Sequence, residues 1–247
     1  RPFFIGRLKM VHAAVLLEVM MTGIQERLLA MQDRGYQSFM ARLMPTVAPE
    51  RIIGVRTPRI RILARDLLRN EATLAKDFLA ALPHHYYEEN NLHVFLMNLV
   101  TDFNSCRNQV ELFLPHLDNW ATCDSLRPTA FKRNRHLVLP LAKGWMASSH
   151  TYTVRFGISC MMCYFLRDGF DPEHLELVGN VDSEDYYVRM MQAWYFSTAL
   201  DIQYQPTLAY LEQDRLGQWT HNKTIQKAVE SRRIPADRKA VLREIKR

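Results

Sequence analysis

Glycine is scarce in this chain, at 9 of 247 residues, and no long segment alternates apolar with polar residues, so there is little support for β-strands. Cysteine is sparser still. Four of them (Cys106, Cys123, Cys160 and Cys163) do not make a disulfide framework in a chain of this size, which favours a reduced, intracellular setting. Cys160 and Cys163 form a C-x-x-C within an apolar run. Redox pairs sit at helix N-termini and zinc sites need further ligands at matching spacing, so both are read as core packing. No stretch reaches the ~20 apolar residues of a membrane span. The early run "RLKMVHAAVLLEVMMTGI" has basic residues before apolar ones, but Glu18 interrupts it and no small-residue cleavage site follows. It is read as an amphipathic helix from about residue 11. Residues 1–9 are read as an extension outside the fold, and 10–247 as one domain.

Hydrophobic residues make up 48% of the sequence, enough for a continuous core. Apolar periodicity and helix-start signals, among them Thr57-Pro58, Asp171-Pro172 and Gln205-Pro206, predict about fourteen helices. They begin near 11, 35, 58, 71, 87, 105, 119, 135, 151, 172, 184, 206, 221 and 236. Paired, they form units of roughly 30 to 45 residues, the scale of HEAT and armadillo repeats. The expected fold is therefore an all-α, HEAT-like (armadillo-type) α-α superhelix with a concave basic surface. Every second helix of such a stack lines the inner face, which directs attention to 119–132, 151–166, 184–200 and 221–231.

The net charge of +6 is unevenly distributed. Residues 51–69 hold six arginines against Asp66, a balance of +5. Residues 127–143 hold five basic residues and no acid, and residues 220–247 hold nine against three acids. These segments carry +16 of a whole-chain +6, which leaves −10 for the remainder. Basic stripes against an acidic background fit a polyanionic partner such as DNA or RNA. In the first stripe Arg61, Arg65 and Arg69 recur every fourth residue, while Ile60, Leu63, Ala64, Leu67 and Leu68 supply the apolar surface. A merely solvated face is the plain alternative for any one stripe.

Trp120 and Asp124 stand at i and i+4, on one side of a helix. Arg155 is the charged residue of "TYTVRFGISCMMCYFL", beside the stripe Val154, Ile158, Met161 and Phe165; Trp194 lies among apolar neighbours in "SEDYYVRMMQAWYFSTAL". Two indoles and a carboxylate suit a cation: an indole face attracts one by ~0.5 to 2 kcal/mol. A carboxylate at ~4 Å contributes up to ~4 kcal/mol at an effective dielectric near 20. Positive charge developing on a deoxyribose as a glycosidic bond breaks would be stabilised in the same way. Arg155 would hold a phosphate with its planar fork. Taken singly, each residue has a plainer reading: core packing for the tryptophans, a dipole partner in a first helical turn for Asp124, a snorkelling side chain for Arg155. The stretch "HHYYEENNLH" gathers His84, His85, Glu88, Glu89 and His93, but the H-E-x-x-H arrangement is absent, and no metal site is expected.

The segments "GVRTPRIRILARDL" (54–67), "WATCDSLRPT" (120–129), "VRFGI" (154–158), "VRMMQAW" (188–194) and "NKTIQKAVES" (222–231) together resemble the AlkD-like DNA alkylation repair family, DNA glycosylases built of HEAT-like repeats. The resemblance implies excision of positively charged alkylated purines, N3-methyladenine or N7-methylguanine, from duplex DNA, with no metal or organic cofactor. It implies that Asp124 stabilises the oxocarbenium ion and positions water. Trp120 and Trp194 would contact backbone and deoxyribose, and Arg155 would bind phosphate. Arg56, Arg61, Arg65, Lys132, Arg133, Lys223 and Lys227 are the further candidates for DNA contact. The expected partner is alkylated or distorted double-stranded DNA, with no membrane; a monomer is the default, and the location cytoplasmic, with nucleoid DNA if bacterial. In the catalytic branch an N-terminal helix walls the damaged base pair, whereas here the matching "YQSFMARLMPTVAPERIIGV" is interrupted by Pro45 and Pro49. That departure keeps a second reading open, a non-catalytic binder of damaged or branched DNA. A helical scaffold for protein partners is a third, which the clustered basic residues oppose.

Overall fold

A computed structural model describes residues 23–247, and the described residues contain helices and no strands. The expected helix start at residue 11 and the extension at 1–9 lie outside them; the described residues open with a helix at 23–29, labelled α1. The chain divides into two compact units at Pro128/Thr129.

The first unit continues with α2 (Arg34–Leu43), a 3-10 turn (Pro49–Arg51), α3 (Thr57–Asn70), α4 (Ala72–Ala80), α5 (Tyr87–Leu99), α6 (Phe103–Phe113), a second 3-10 turn (Leu114–His116) and α7 (Trp120–Ser125). The second contains α8 (Thr129–Arg133), α9 (Arg135–Met146), α10 (Thr151–Tyr164), α11 (Glu173–Gly179), α12 (Tyr186–Ile202), α13 (Tyr204–Glu212), α14 (Gln218–Glu230) and α15 (Ala236–Glu244). Local chemistry fixes many of the starts. Asp33, Asp102, Asn119 and Asp185 each accept a backbone N–H of their own first turn, a cap that contributes about 1 kcal/mol. Pro58 occupies the second position of α3, where a missing N–H costs nothing.

Within each unit alternate helices stack, as the periodicity predicts. In the first, α5 packs against α3 and α7; in the second, α12 packs between α10 and α14. The cores are apolar where the sequence places them. Ile60, Leu63, Ala64 and Leu67 of α3 are buried, and so are Val154, Ile158, Met161 and Phe165 in and just after α10.

Four sequence expectations are corrected. The single helix over 119–132 is broken by Leu126, Arg127 and Pro128 into α7 and α8. Pro128 has no amide to donate and biases Arg127 away from helical geometry. Leu68 is 37% exposed rather than core. Cys163 is exposed and only Cys160 packs inside, because Cys163 stands two positions beyond the buried Met161, roughly 160° away around the helix. Asp124 sits in the last turn of α7, not the first, because the helix ends at Ser125.

Candidate active site

The six residues of α7 are too few to hold their own conformation, since isolated short helices are marginal in water. Two asparagines on α5 hold it. At its start, Asn119 Oδ1 accepts the Thr122 N–H at 2.8 Å, and the Thr122 hydroxyl donates to Asn91 Oδ1 at 3.0 Å. At its end, Asn98 Nδ2 donates to the Ser125 carbonyl at 2.8 Å while its Oδ1 accepts the Arg127 N–H at 2.7 Å. Asn98 thus supplies the backbone partners that the break before Pro128 removes. Asn91 and Asn98 are two helical turns apart, so they face α7 together.

On that frame Trp120 and Asp124 lie one turn apart, both half-buried. The indole Nε1–H donates to the Leu43 carbonyl at 3.2 Å. The Trp120 ring packs on a cluster of Met40, Met44, Val47, Ile52 and Tyr87. The segment carrying Pro45 and Pro49 is therefore the support of Trp120. Arg51 secures it further, with an ion pair to Asp118 at 3.1 Å and an Nε–H donated to the His85 carbonyl at 2.8 Å. Asp124 in a last turn faces the negative end of the helix dipole, which costs about 0.3 to 1 kcal/mol. A favourable dipole partnership therefore does not explain this residue.

In the second unit, Trp194 is half-buried on α12, its carbonyl accepting the Ser197 and Thr198 hydroxyls. Arg155 is only 5% exposed. One of its N–H groups donates to the Tyr187 carbonyl at 2.7 Å, so it braces α10 against the first turn of α12. A phosphate can meet it only at the small surface that remains.

The basic candidates differ in setting. Arg56 donates twice to Asp33 Oδ2, at 3.1 and 2.8 Å, and lies 5.0 Å from the Tyr36 ring centre. The Tyr36 amide and then Arg56 hold the Asp33 carboxyl below its ordinary range. Arg61 and Arg65 are exposed, Arg61 lying 4.7 Å from the Phe95 ring centre. Lys132 and Arg133 are exposed in the last turn of α8, where the dipole favours a cation. Lys223 and Lys227 are half-buried on α14.

The motif "GVRTP" has a structural explanation that its sequence conceals. Glu88, fully buried, accepts the N–H groups of Ile53, Gly54 and Val55 at 2.8, 2.7 and 3.2 Å. Burial pushes its carboxyl up, and the three amides pull it back. Gly54 has a φ of +93°, and a Cβ there would stand 2.5 Å from the Asp33 carbonyl oxygen. Only glycine fits. Other polar groups of "HHYYEENNLH" are also engaged within the fold. Glu89 accepts from the His85 and Tyr86 amides and from Gln25. His84 Nε2 and His93 Nδ1 share a hydrogen bond at 2.8 Å. Among the described residues no group of three His, Cys, Asp or Glu is placed to hold a metal ion, and no helix is long and apolar enough to cross a membrane.

Sequence reasoning missed Asn91, Asn98 and Leu43, and weighed Glu88 only as a metal ligand. The two asparagines left a trace, recurring seven apart in a helix otherwise rich in apolar residues; the Leu43 carbonyl left none.

The family model described as "DNA alkylation repair enzyme" matches residues 24–227, which takes in every candidate residue from Arg56 to Lys227. No curated protein matches the chain. With more than four fifths of its length matched, the chain belongs to the DNA alkylation repair enzyme family.

Proposed function

We propose that this protein is a DNA glycosylase that removes positively charged alkylated purines, N3-methyladenine and N7-methylguanine, from duplex DNA. Family membership gives it a role in DNA alkylation repair, with DNA as partner. The observation that carries the finer reading is Asp124, held one turn from the Trp120 indole on a helix fixed at both ends by Asn91 and Asn98.

An N3- or N7-alkylated purine is already a cation and a good leaving group. As the C1′–N bond breaks, its electron pair moves to the base nitrogen and cancels that charge, while positive charge passes to the sugar as an oxocarbenium ion. A fixed carboxylate stabilises that ion as it forms. The ~4 kcal/mol available from one carboxylate at ~4 Å corresponds to about a thousandfold in rate. Water, oriented by Asp124, then adds at C1′ and passes its proton to the Asp124 carboxylate, which returns it to solvent. Trp120 and, in the second unit, Trp194 contact the deoxyribose and backbone. Arg155 meets phosphate with its limited exposed surface, and Arg56, Arg61, Arg65, Lys132, Arg133, Lys223 and Lys227 supply the sequence-independent attraction to the backbone.

The test is chromatographic release of bases from methylated duplex DNA by the wild type and by Asp124→Asn at equal concentration. Release by the wild type alone, with duplex binding retained in the variant, supports the assignment. Equal release by both removes Asp124 from the chemistry. No release by the wild type, with DNA still bound, replaces excision by recognition of damaged or branched DNA.

A further inference from the structure

At the starts of α12 and α14 the second unit opens into a cleft of about 420 Å³. Its walls are residues 179–184, Arg189 and Gln192 of α12, and residues 216–220. Trp219 is the aromatic residue of this wall, and two cations share its ring: the Arg189 guanidinium carbon is 4.8 Å and Lys223 Nζ 5.7 Å from the centroid. Each is drawn to the indole, but the two repel one another. Tyr186, 55% exposed, meets the same ring edge-on at 5.9 Å.

The compensation that the chain supplies to this pair is weak. Arg189 is paired with Glu184, whose side chain is 92% exposed, and an exposed ion pair holds loosely. Asp182, which also lines the cleft, is exposed as well. Lys223 donates to the neutral amide oxygen of Gln226 at 2.7 Å. Arg189 Nε is enclosed with no acceptor at all. A buried donor without a partner calls for an explanation, and a planar guanidinium whose one carboxylate partner is almost wholly exposed fits two oxygens of a phosphate.

We propose that Arg189 and Lys223, mounted on Trp219, form a phosphate-binding site in which Glu184 holds the place of the anion and is displaced by it. The phosphate is a backbone phosphodiester of DNA; that source, though not the chemistry of the site, rests on the DNA-binding reading above.

The test is binding of an unmodified duplex by the full chain over a range of salt concentrations. Arg189→Gln should weaken binding about tenfold and, like Lys223→Gln, reduce the slope of log K against log salt by about one. Glu184→Gln should tighten binding about threefold. If the Arg189–Glu184 pair merely holds the fold, its two variants move affinity in the same direction or not at all, and either result overturns the proposal. Glu184 is too exposed for its replacement to unfold the chain. Inorganic phosphate, followed by tryptophan fluorescence against Trp219→Phe, separates the sources: a response lost in Arg189→Gln, with duplex binding unchanged, assigns the site to free phosphate and overturns the DNA contact. Base release is read separately, and its absence would remove the glycosylase assignment while leaving this site intact.

Discussion

The indole N–H of Trp120 is hydrogen-bonded to the carbonyl of Leu43, a residue 77 positions earlier, at 3.2 Å. Leu43 ends α2, and the last carbonyls of a helix lack partners within it. One bond thus satisfies an end of α2 and fixes the Trp120 ring on α7. Trp120→Phe should keep the packing on Met40, Met44 and Val47 but leave this carbonyl without its donor. The expected outcome is a loss of about 1 kcal/mol in a denaturant titration and a severalfold drop in base release, with Trp120→Ala worse in both. Wild-type values for Trp120→Phe would show that the bond does not set the ring.

Asn98 closes the break between α7 and α8 with both ends of its amide. Asn98→Ala leaves the Ser125 carbonyl and the Arg127 amide unmatched, which should cost about 1 to 3 kcal/mol. Base release should fall about tenfold in kcat with little change in KM, since the side chain orients Asp124 without touching DNA. Asn98→Asp, which keeps the bulk and the acceptor for Arg127 but loses the donor to Ser125, should recover part of the loss; no recovery would mean that the donated hydrogen bond to Ser125, and not bulk, is what the position needs.

At Gly54 the φ of +93° and the 2.5 Å approach to the Asp33 carbonyl act together. Gly54→Ala should destabilise by roughly 2 to 4 kcal/mol. Gly169 is the control, with a φ of +79° and no atom within 4 Å of an added Cβ. Gly169→Ala should cost about 1 kcal/mol. Thermal unfolding of the two variants side by side separates steric conflict from backbone strain, and equal losses would exclude the steric part.

The buried pair His84 and His93 predicts a pH dependence. Burial, with His116 nearby, brings His84 down to about 4, and burial, with His84 and His116, holds His93 well below the ordinary range. Unfolded histidine titrates near 6.5. As pH falls from there toward 4, the unfolded chain binds protons that the folded chain refuses, and stability drops. For His84 alone the loss by pH 4 is on the order of 3 kcal/mol. Melting temperatures between pH 7 and 5 should decline, and the His84→Leu/His93→Leu double variant should decline less steeply. An unchanged slope would place the proton uptake elsewhere.

Much of this molecule is decided by neighbours in sequence. Apolar spacing, Asp33, Asp102, Asn119 and Asp185 at helix starts, and Pro58 within the first turn of α3 act over three or four residues, so helix positions could be read directly. The segregation of charge and the pairing of Trp120 with Asp124 were legible for the same reason. What only the tertiary structure decided depends on bonds between distant residues. Asn98 reaches Arg127 across 29 positions, Glu88 reaches Ile53 across 35, and Trp120 reaches Leu43 across 77. No periodicity records such pairs, because a polar side chain on an apolar helix looks alike whether it faces solvent or a broken backbone. The sequence alone therefore named the carboxylate and the indole, while the fold decided that Asp124 ends its helix, that Arg155 braces α10 against α12, and that the segment interrupted by Pro45 and Pro49 is the support on which Trp120 rests.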